Sequence, residues 1–248
     1  MKWLMWCLTL YGLLIQSVYA IEHQQFKTAE GDQYDVVAIS NLKQLRLFLK
    51  NPTNQQYYKS FNSVQEHLKQ CERLSFAMNA GMFHPGFSPV GLYVEQAKVI
   101  QALNENKGWG NFFLQPNGVL AWNKKQAFIL TTQQYSRRDF KFDYATQSGP
   151  MLVINGKINS LFLPDSQSSK IRNGVGVRNN KIYFVISKNS VSFYKFAQFF
   201  QRNLRVEQAL YLDGSISSLY VQKDKRNDQQ FEMGPIIGWV DQTGCSLK

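Results

Sequence analysis

The stretch that decides the fold is Leu210-Tyr211-Leu212-Asp213-Gly214-Ser215-Ile216-Ser217-Ser218-Leu219-Tyr220. An apolar run that reads as a buried strand stops at a carboxylate. A glycine and three serines follow before the next apolar pair. A strand end fixes a residue in space and the loop after it exposes that residue, so reactive groups concentrate there. One acid beside a loop rich in donors suits chemistry on a polar, anionic substrate. Asp213 can equally hydrogen-bond its own turn, the bland use of an aspartate at such a position.

Working outward, the chain alternates short apolar runs with turn signals. Tyr34–Ile39 and Leu45–Leu49 read as early strands, and Leu74–Met78 as a strand that enters a glycine-containing loop. Phe61, Val64 and Leu68 recur at helical spacing and predict an amphipathic helix over 61–70. Gln115-Pro116-Asn117-Gly118 predicts a hairpin joining Phe112–Leu114 to Val119–Trp122, because Asn-Gly tolerates positive φ. Asn155-Gly156 after Met151–Ile154 repeats that logic, as does Asn179-Asn180 between Val175–Val177 and Ile182–Ile186. Ser192 is placed to N-cap a helix with Phe193, Phe196, Ala197 and Phe200 on its packing face. Pro235–Val240 reads as a last strand, and 221–230 as an exposed polar loop. The expected class is α+β: one domain with a mixed, largely antiparallel sheet system and at least two packed helices.

Composition supports a single core. The 248 residues are 44% hydrophobic and 14% aromatic, which excludes a disordered chain. Residues 1–20 read as a secretory signal peptide. Lys2 is its positive start, Leu4–Val18 its apolar stretch, and Val18-Tyr19-Ala20 its cleavage site. The alternative is an uncleaved anchor. Residues 21–33 read as a loose N-terminal arm and 34–248 as the domain. Cleavage leaves Cys71 and Cys245, either one disulfide or two free thiols. The expected address is exported, in the periplasm or fully secreted. No stable membrane span remains after cleavage, because no later apolar stretch is long enough.

The net charge is +11, and +10 once Lys2 is removed. A basic exported protein meets polyanions such as phosphorylated glycans or membrane surfaces. No nucleic-acid recognition motif is present. No Gly-x-Ser-x-Gly elbow, His-Glu-x-x-His zinc motif or phosphate-loop lysine occurs, and His23, His67 and His84 are scattered. Neither a metal nor a cofactor is expected.

Four loops share a design in which a strand leads to small polar residues and then another strand. They are Asn79–His84, Gln147–Pro150, Arg172–Gly176 and the Asp213 segment. In this order they resemble the phosphodiester glycosidase family. Asn79-Ala80-Gly81-Met82-Phe83 is similar to the family's Asn-Gly-Gly-Phe-Phe-like segment. Ser148-Gly149-Pro150 resembles its Ser-Gly-Pro segment, and Arg172-Asn173-Gly174-Val175-Gly176 its Arg-x-Ala-Ile-Gly segment. Leu212-Asp213-Gly214-Ser215-Ile216-Ser217-Ser218 resembles its Leu-Asp-Gly-Gly-Gly-Ser-Ser segment. The resemblance covers about residues 34–242. Ser215 and Ile216 depart from it, standing where the family has glycines, and make this loop stiffer and bulkier.

The resemblance implies an exported hydrolase that cleaves sugar-1-phosphodiesters at the glycosidic bond. The alternative is a non-catalytic phosphoglycan-binding module of the envelope. Such cleavage needs a carboxyl group at the anomeric carbon, donors for the phosphate, and polar groups for the sugar hydroxyls. Asp213 is the candidate carboxylate and Arg172 the candidate phosphate clamp, since a guanidinium binds phosphate in bidentate fashion. Asn79, Gly81, His84, Ser148, Gly149, Gly214, Ser217 and Ser218 are the candidate substrate-binding residues. Glu95, Asp143 and Asp165 are options for a second carboxylate.

Overall fold

The computed structural model describes residues 20–137 and 141–242. Residues 1–19, where the sequence leads one to expect a signal peptide, and Cys245 lie outside the described residues. Among the described residues seventeen strands form three sheets, and every strand pairing between them is antiparallel. The first sheet runs β1 (Ile21–Lys27), β2 (Gln33–Ile39), β13 (Lys181–Ser187), β12 (Asn173–Arg178), β14 (Gln208–Tyr211), β10 (Met151–Ile154) and β11 (Lys157–Ile158). The second runs β16 (Arg226–Asn227), β15 (Leu219–Val221), β4 (Arg73–Asn79), β17 (Ile236–Asp241) and β3 (Leu45–Phe48). The third runs β6 (Lys98–Gln101), β5 (Tyr93–Glu95), β9 (Tyr144–Ser148), β7 (Gly118–Trp122) and β8 (Ala127–Thr131). Three short α-helices among the described residues, α1 (Phe61–Glu66), α2 (Thr132–Ser136) and α3 (Phe193–Gln198), pack on them, and α3 continues into a π turn over Phe199–Asn203.

Inner faces of all three sheets share one core. Val37 and Ile39 meet Phe76, Met78, Leu120 and Trp122 there. The alternate residues Val36 and Ala38 face the other way, into a second core with Phe196, Phe199 and Phe200 of α3 and its extension. This explains why Tyr34–Ile39 is an unbroken apolar run apart from Asp35: β2 is covered on both faces. The aromatic stripe after Ser192 is therefore packing material. The Ser192 hydroxyl accepts from the Lys195 N–H at 3.2 Å and caps the helix as its sequence predicts. On the second sheet, Phe61 and Val64 of α1 pack with Leu74, Ala77, Ile236 and Val240. That helix ends at Glu66, earlier than expected, although Leu68 still packs on the same cluster.

Three local expectations change. Residues 21–27 are no loose arm: they form β1, paired along its whole length with β2. Polar residues suit it because one side of this edge strand faces solvent. Phe112 and Phe113 lie in a 3-10 turn, not a strand, and β7 pairs with β8 and β9 instead of with them. The polar stretch 221–230 contains β16, which Arg226 pins to the body of the fold. The Asn155-Gly156 and Asn179-Asn180 hairpins form as expected, each with two residues at positive φ.

Arg226 belongs to a charged staple between the first and second sheets. Asp35, 1% exposed, accepts from Arg226 Nη1 at 2.5 Å and faces His23 Nε2 at 3.0 Å. His23 Nδ1 faces Asp224 at 2.5 Å. The hydrogen bond to Asp35 raises the His23 pKa above 6.5, against burial, with Asp224 adding to the rise. A raised folded-state value favours the fold fully below 6.5, and that contribution disappears as pH rises through the folded value. The melting-temperature gap between wild type and His23→Gln is accordingly expected to be largest below pH 6.5 and to shrink at higher pH. A gap independent of pH would show that His23 acts only as a neutral hydrogen-bonding group.

Candidate functional site

The site forms where β4, β12, β14 and the approach to β15 converge. Asn79, the last residue of β4, is its hub and is almost fully buried. Its Nδ2 donates to the Asp213 carbonyl at 2.7 Å. Its Oδ1 accepts from Asn173 Nδ2 and from the Ser218 N–H, both at 2.9 Å. The Asp213 N–H donates to the Ala80 carbonyl at 3.3 Å. One asparagine thus holds both ends of the Asp213–Ser218 loop, 134 and 139 residues away in the chain.

Within that loop the polar groups are already engaged. The Ser215 N–H donates to Asp213 Oδ1 at 3.3 Å, Ser217 Oγ to the Gly214 carbonyl at 2.9 Å, and Ser218 Oγ to the Ile216 carbonyl at 2.9 Å. Ser217 and Ser218 build the turn rather than reach outward. Gly214 has a separate reason to be glycine: a Cβ there would meet the Tyr211 hydroxyl. Ile216, standing in place of a glycine, packs against the cluster that includes Phe61 and Leu74. The bulk that stiffens this loop is anchored in the core.

Asp213 opens onto a cleft of about 630 Å³. Burial raises its carboxyl pKa above 3.8, and the Ser215 amide offsets part of that rise. His84, Lys107, Trp109, Asn104 and Asn111 line the same cleft. Asp213 is the carboxylate among its described lining residues. Glu95, Asp143 and Asp165 are not part of that lining. Glu95 accepts from the Tyr93 hydroxyl at 2.8 Å, and burial lifts its pKa to about 7. Asp143 lines a separate cleft with Lys43 and Lys124. Among the described residues no group of three or more His, Cys, Asp or Glu side chains is placed to hold a metal ion.

Arg172 does not reach the cleft. Only 2% of it is exposed, and its guanidinium donates to the carbonyls of Val191 at 2.8 Å and Ser168 at 3.1 Å and to the Tyr211 hydroxyl at 3.5 Å. The Phe193 ring lies 3.7 Å beneath it. Burial lowers its pKa, with Tyr211 opposing. The expected phosphate clamp is therefore a brace: Arg172 holds Tyr211, and Tyr211 supports Gly214 in the loop that carries Asp213. Among the described residues lining the cleft, Lys107 supplies the ammonium. Truncating Arg172 to Ala removes a buried side chain together with its contact to the Phe193 ring and its bonds to Tyr211 and Ser168, while the Val191 carbonyl keeps the Lys170 N–H at 3.2 Å; a cost of roughly 1–3 kcal/mol in all is expected. We expect a fall of several degrees in melting temperature, which a thermal melt checks; an unchanged melt would show that the brace carries no weight.

The remaining candidates frame the cleft from behind. Gly81 lies so close to β9 that a Cβ would come 2.4 Å from the Gln147 carbonyl oxygen, a contact that only glycine avoids. Ser148 is fully buried, and its hydroxyl has no hydrogen-bond partner among the described residues. Gly149 packs on Asn117 and the Phe112 carbonyl. These three fit the third sheet against the loop. His84 is exposed on the cleft rim, as a loop residue before a proline suggests.

Sequence reasoning missed Asn173, Tyr211 and the wall formed by residues 104–113. Asn173 and Tyr211 sit inside strand patterns, where their side chains look like ordinary strand residues. The wall did carry a signal: Lys107-Gly108-Trp109-Gly110 places a tryptophan between two glycines in an otherwise polar stretch.

A family model described as phosphodiester glycosidase matches residues 72–237. Uncharacterized protein YigE of Escherichia coli (strain K12) is 40% identical over 150 residues, which span 60% of this chain and 59% of that protein. Among solved structures, the zebrafish N-acetylglucosamine-1-phosphodiester alpha-N-acetylglucosaminidase catalytic domain, auto-inhibited by its pro-peptide, superposes with a TM-score of 0.62 at 11% identity. That match covers 90% of this chain and 84% of the zebrafish one. A Burkholderia pseudomallei K96243 protein described as exported superposes with a TM-score of 0.54 at 10% identity, covering 84% and 74% of the two chains. At these identities the two structures show a shared fold.

Proposed function

Because the chain belongs to the phosphodiester glycosidase family, we propose that it hydrolyses sugar-1-phosphodiesters, with Asp213 as the catalytic carboxylate. The observation that carries this reading is Asp213 itself, a residue whose backbone carbonyl is held by Asn79 and whose carboxyl, with a raised pKa, lies at a cleft that also contains Lys107. A carboxylate there can take a proton from water attacking the anomeric carbon, or attack that carbon directly. In the net reaction water's oxygen bonds to the anomeric carbon and the glycosidic C–O bond breaks. The phosphomonoester then leaves as an anion. Lys107 offsets its charge. A leaving phosphate needs less protonation than an alkoxide, so one carboxylate suffices.

We place the substrate among phosphorylated glycans of the cell envelope and the protein outside the cytoplasm, in the periplasm or fully secreted. The basic composition and the leader-like residues 1–20 support this. Cys71–Cys245 would supply one bridge there, which intact-mass measurement after thiol alkylation checks. Among the described residues no helix is long and apolar enough to cross a membrane.

The test is release of free sugar from a panel of sugar-1-phosphodiesters by the purified mature chain. No release by wild type would end the hydrolase reading. The second reading, a phosphoglycan-binding module, is favoured by one observation: the Ser215 amide and the Ser217 and Ser218 hydroxyls are spent within their own turn. It expects saturable binding without turnover.

A further inference from the structure

Trp109 is 98% exposed, yet it lines the cleft that Asp213 opens onto. A bare indole in water forgoes the burial that its size would reward, so its position needs a reason. The loop is built to hold it there. Gly108 lies on the Phe113 ring so closely that a Cβ would come 2.8 Å from it, and Gly110 takes φ +92°, a conformation side chains disfavour.

The root of the same loop is rigid. Gln147, buried in β9, accepts from the Asn104 and Leu92 N–H groups, both at 2.9 Å. Its Nε2 donates to the Asn104 carbonyl at 2.8 Å and to Thr132 Oγ1 at 3.0 Å. A fixed base therefore carries a presented tip. Around the indole the cleft offers the amides of Asn106 and Asn111 and the ammonium of Lys107, while the Asn104 amide is spent bracing the loop against the Val90 carbonyl and the Asn106 N–H. A flat π face ringed by amide donors and acceptors matches a pyranose, whose C–H face is apolar and whose edge carries hydroxyls.

We propose that Trp109 is the stacking platform for a pyranose ring of the substrate and that Lys107 takes the anionic group beside it. This rests on reading the cleft as a sugar-phosphodiester site. Trp109 and Lys107 act as specificity residues, distinct from the reacting carboxylate.

The probe is N-acetylglucosamine-1-phosphate, titrated into the mature chain while tryptophan emission is followed. Trp122 is fully buried and Trp239 is 8% exposed, so Trp109 is the solvent-facing reporter among the described residues. Saturable quenching is expected in wild type and in Asp213→Asn, and it should vanish in Trp109→Ala. Lys107→Ala should weaken the sugar phosphate's affinity toward that of N-acetylglucosamine alone. On a hydrolysed phosphodiester, Trp109→Ala should raise KM about tenfold, as an aromatic contact of ~1.4 kcal/mol requires, with kcat within about twofold. Trp109→Phe should restore most of that loss. An exposed side chain does not hold the fold, so the melting temperature of Trp109→Ala should match wild type.

The platform is overturned if wild type shows no emission change, if the change survives in Trp109→Ala, or if uridine monophosphate or methyl phosphate quenches equally. Hydrolysis with an unchanged KM in Trp109→Ala also overturns it while leaving the hydrolase reading intact. Saturable quenching by a chain that releases no sugar overturns the hydrolase reading and keeps the platform.

Discussion

Asp213→Asn is expected to reduce sugar release by about 10²–10⁴-fold, the range a positioned acid–base group contributes. The same change is expected to raise the melting temperature at neutral pH. Burial raises the folded-state pKa of Asp213 above 3.8. Such a group favours the fold fully below 3.8, and that favour is lost as pH rises through the folded value. At neutral pH, well above 3.8, the cost of ionising the buried carboxyl therefore weakens the fold, and a neutral amide removes that cost. Asn also keeps the oxygen that accepts from the Ser215 amide. A structural aspartate would give the opposite pair of results, with activity retained and stability lost. In wild type the acid limb of the activity–pH profile should fall above pH 3.8 and be absent from the residual activity of the variant. A stability loss with full activity in Asp213→Asn would remove Asp213 from the chemistry.

Asn79→Ala is expected to carry the largest stability cost. It strips the partner from the half-buried Asp213 carbonyl and the buried Ser218 amide, and leaves Asn173 Nδ2 only the Asn79 backbone carbonyl at 3.2 Å. Each stranded group costs roughly 1–3 kcal/mol. Contacts within one network do not add independently, so about 3–5 kcal/mol is expected in all. Denaturant unfolding measures it. Activity should fall as well, because both ends of the catalytic loop lose their tie. Asn79→Asp separates the two roles of the side chain. It keeps oxygens for Ser218 and Asn173 but loses the N–H that reaches the Asp213 carbonyl. We expect it to be more stable than Asn79→Ala under acidic conditions, where a protonated carboxyl regains a donor. Two variants of equal stability at every pH would show that the donor to Asp213 does not matter.

The staple and the brace set the scale for what residue types alone reveal. His23 and Asp224 lie 201 residues apart, and nothing in either neighbourhood announces the other. Arg172 illustrates the same limit at the site. Its residue type and its motif pointed to phosphate, because a guanidinium is the usual partner of one. Its surroundings, Phe193 below and carbonyls on either side, make it a support for Tyr211. The direction of a side chain depends on which strands become neighbours, and local patterning does not contain that.

By itself the sequence determined the apolar runs of the core strands, the positive-φ hairpins at Asn155-Gly156 and Asn179-Asn180, the cap at Ser192, and Asp213 as the acid at a strand end. These follow from local chemistry: the burial of contiguous apolar residues, the steric freedom of Asn and Gly, and the competition of hydroxyls for backbone amides. The four loops in order also carried the family. Only the tertiary structure decided that residues 21–27 complete a sheet, that Asn79 is the hub, and that Lys107 and Trp109, not Arg172, face the cleft with Asp213. The strand at 21–27 pairs with its neighbour in the chain but is held by β2's place in the sheet, and the other two depend on contacts between residues far apart, which arise only when the three sheets close on their shared core.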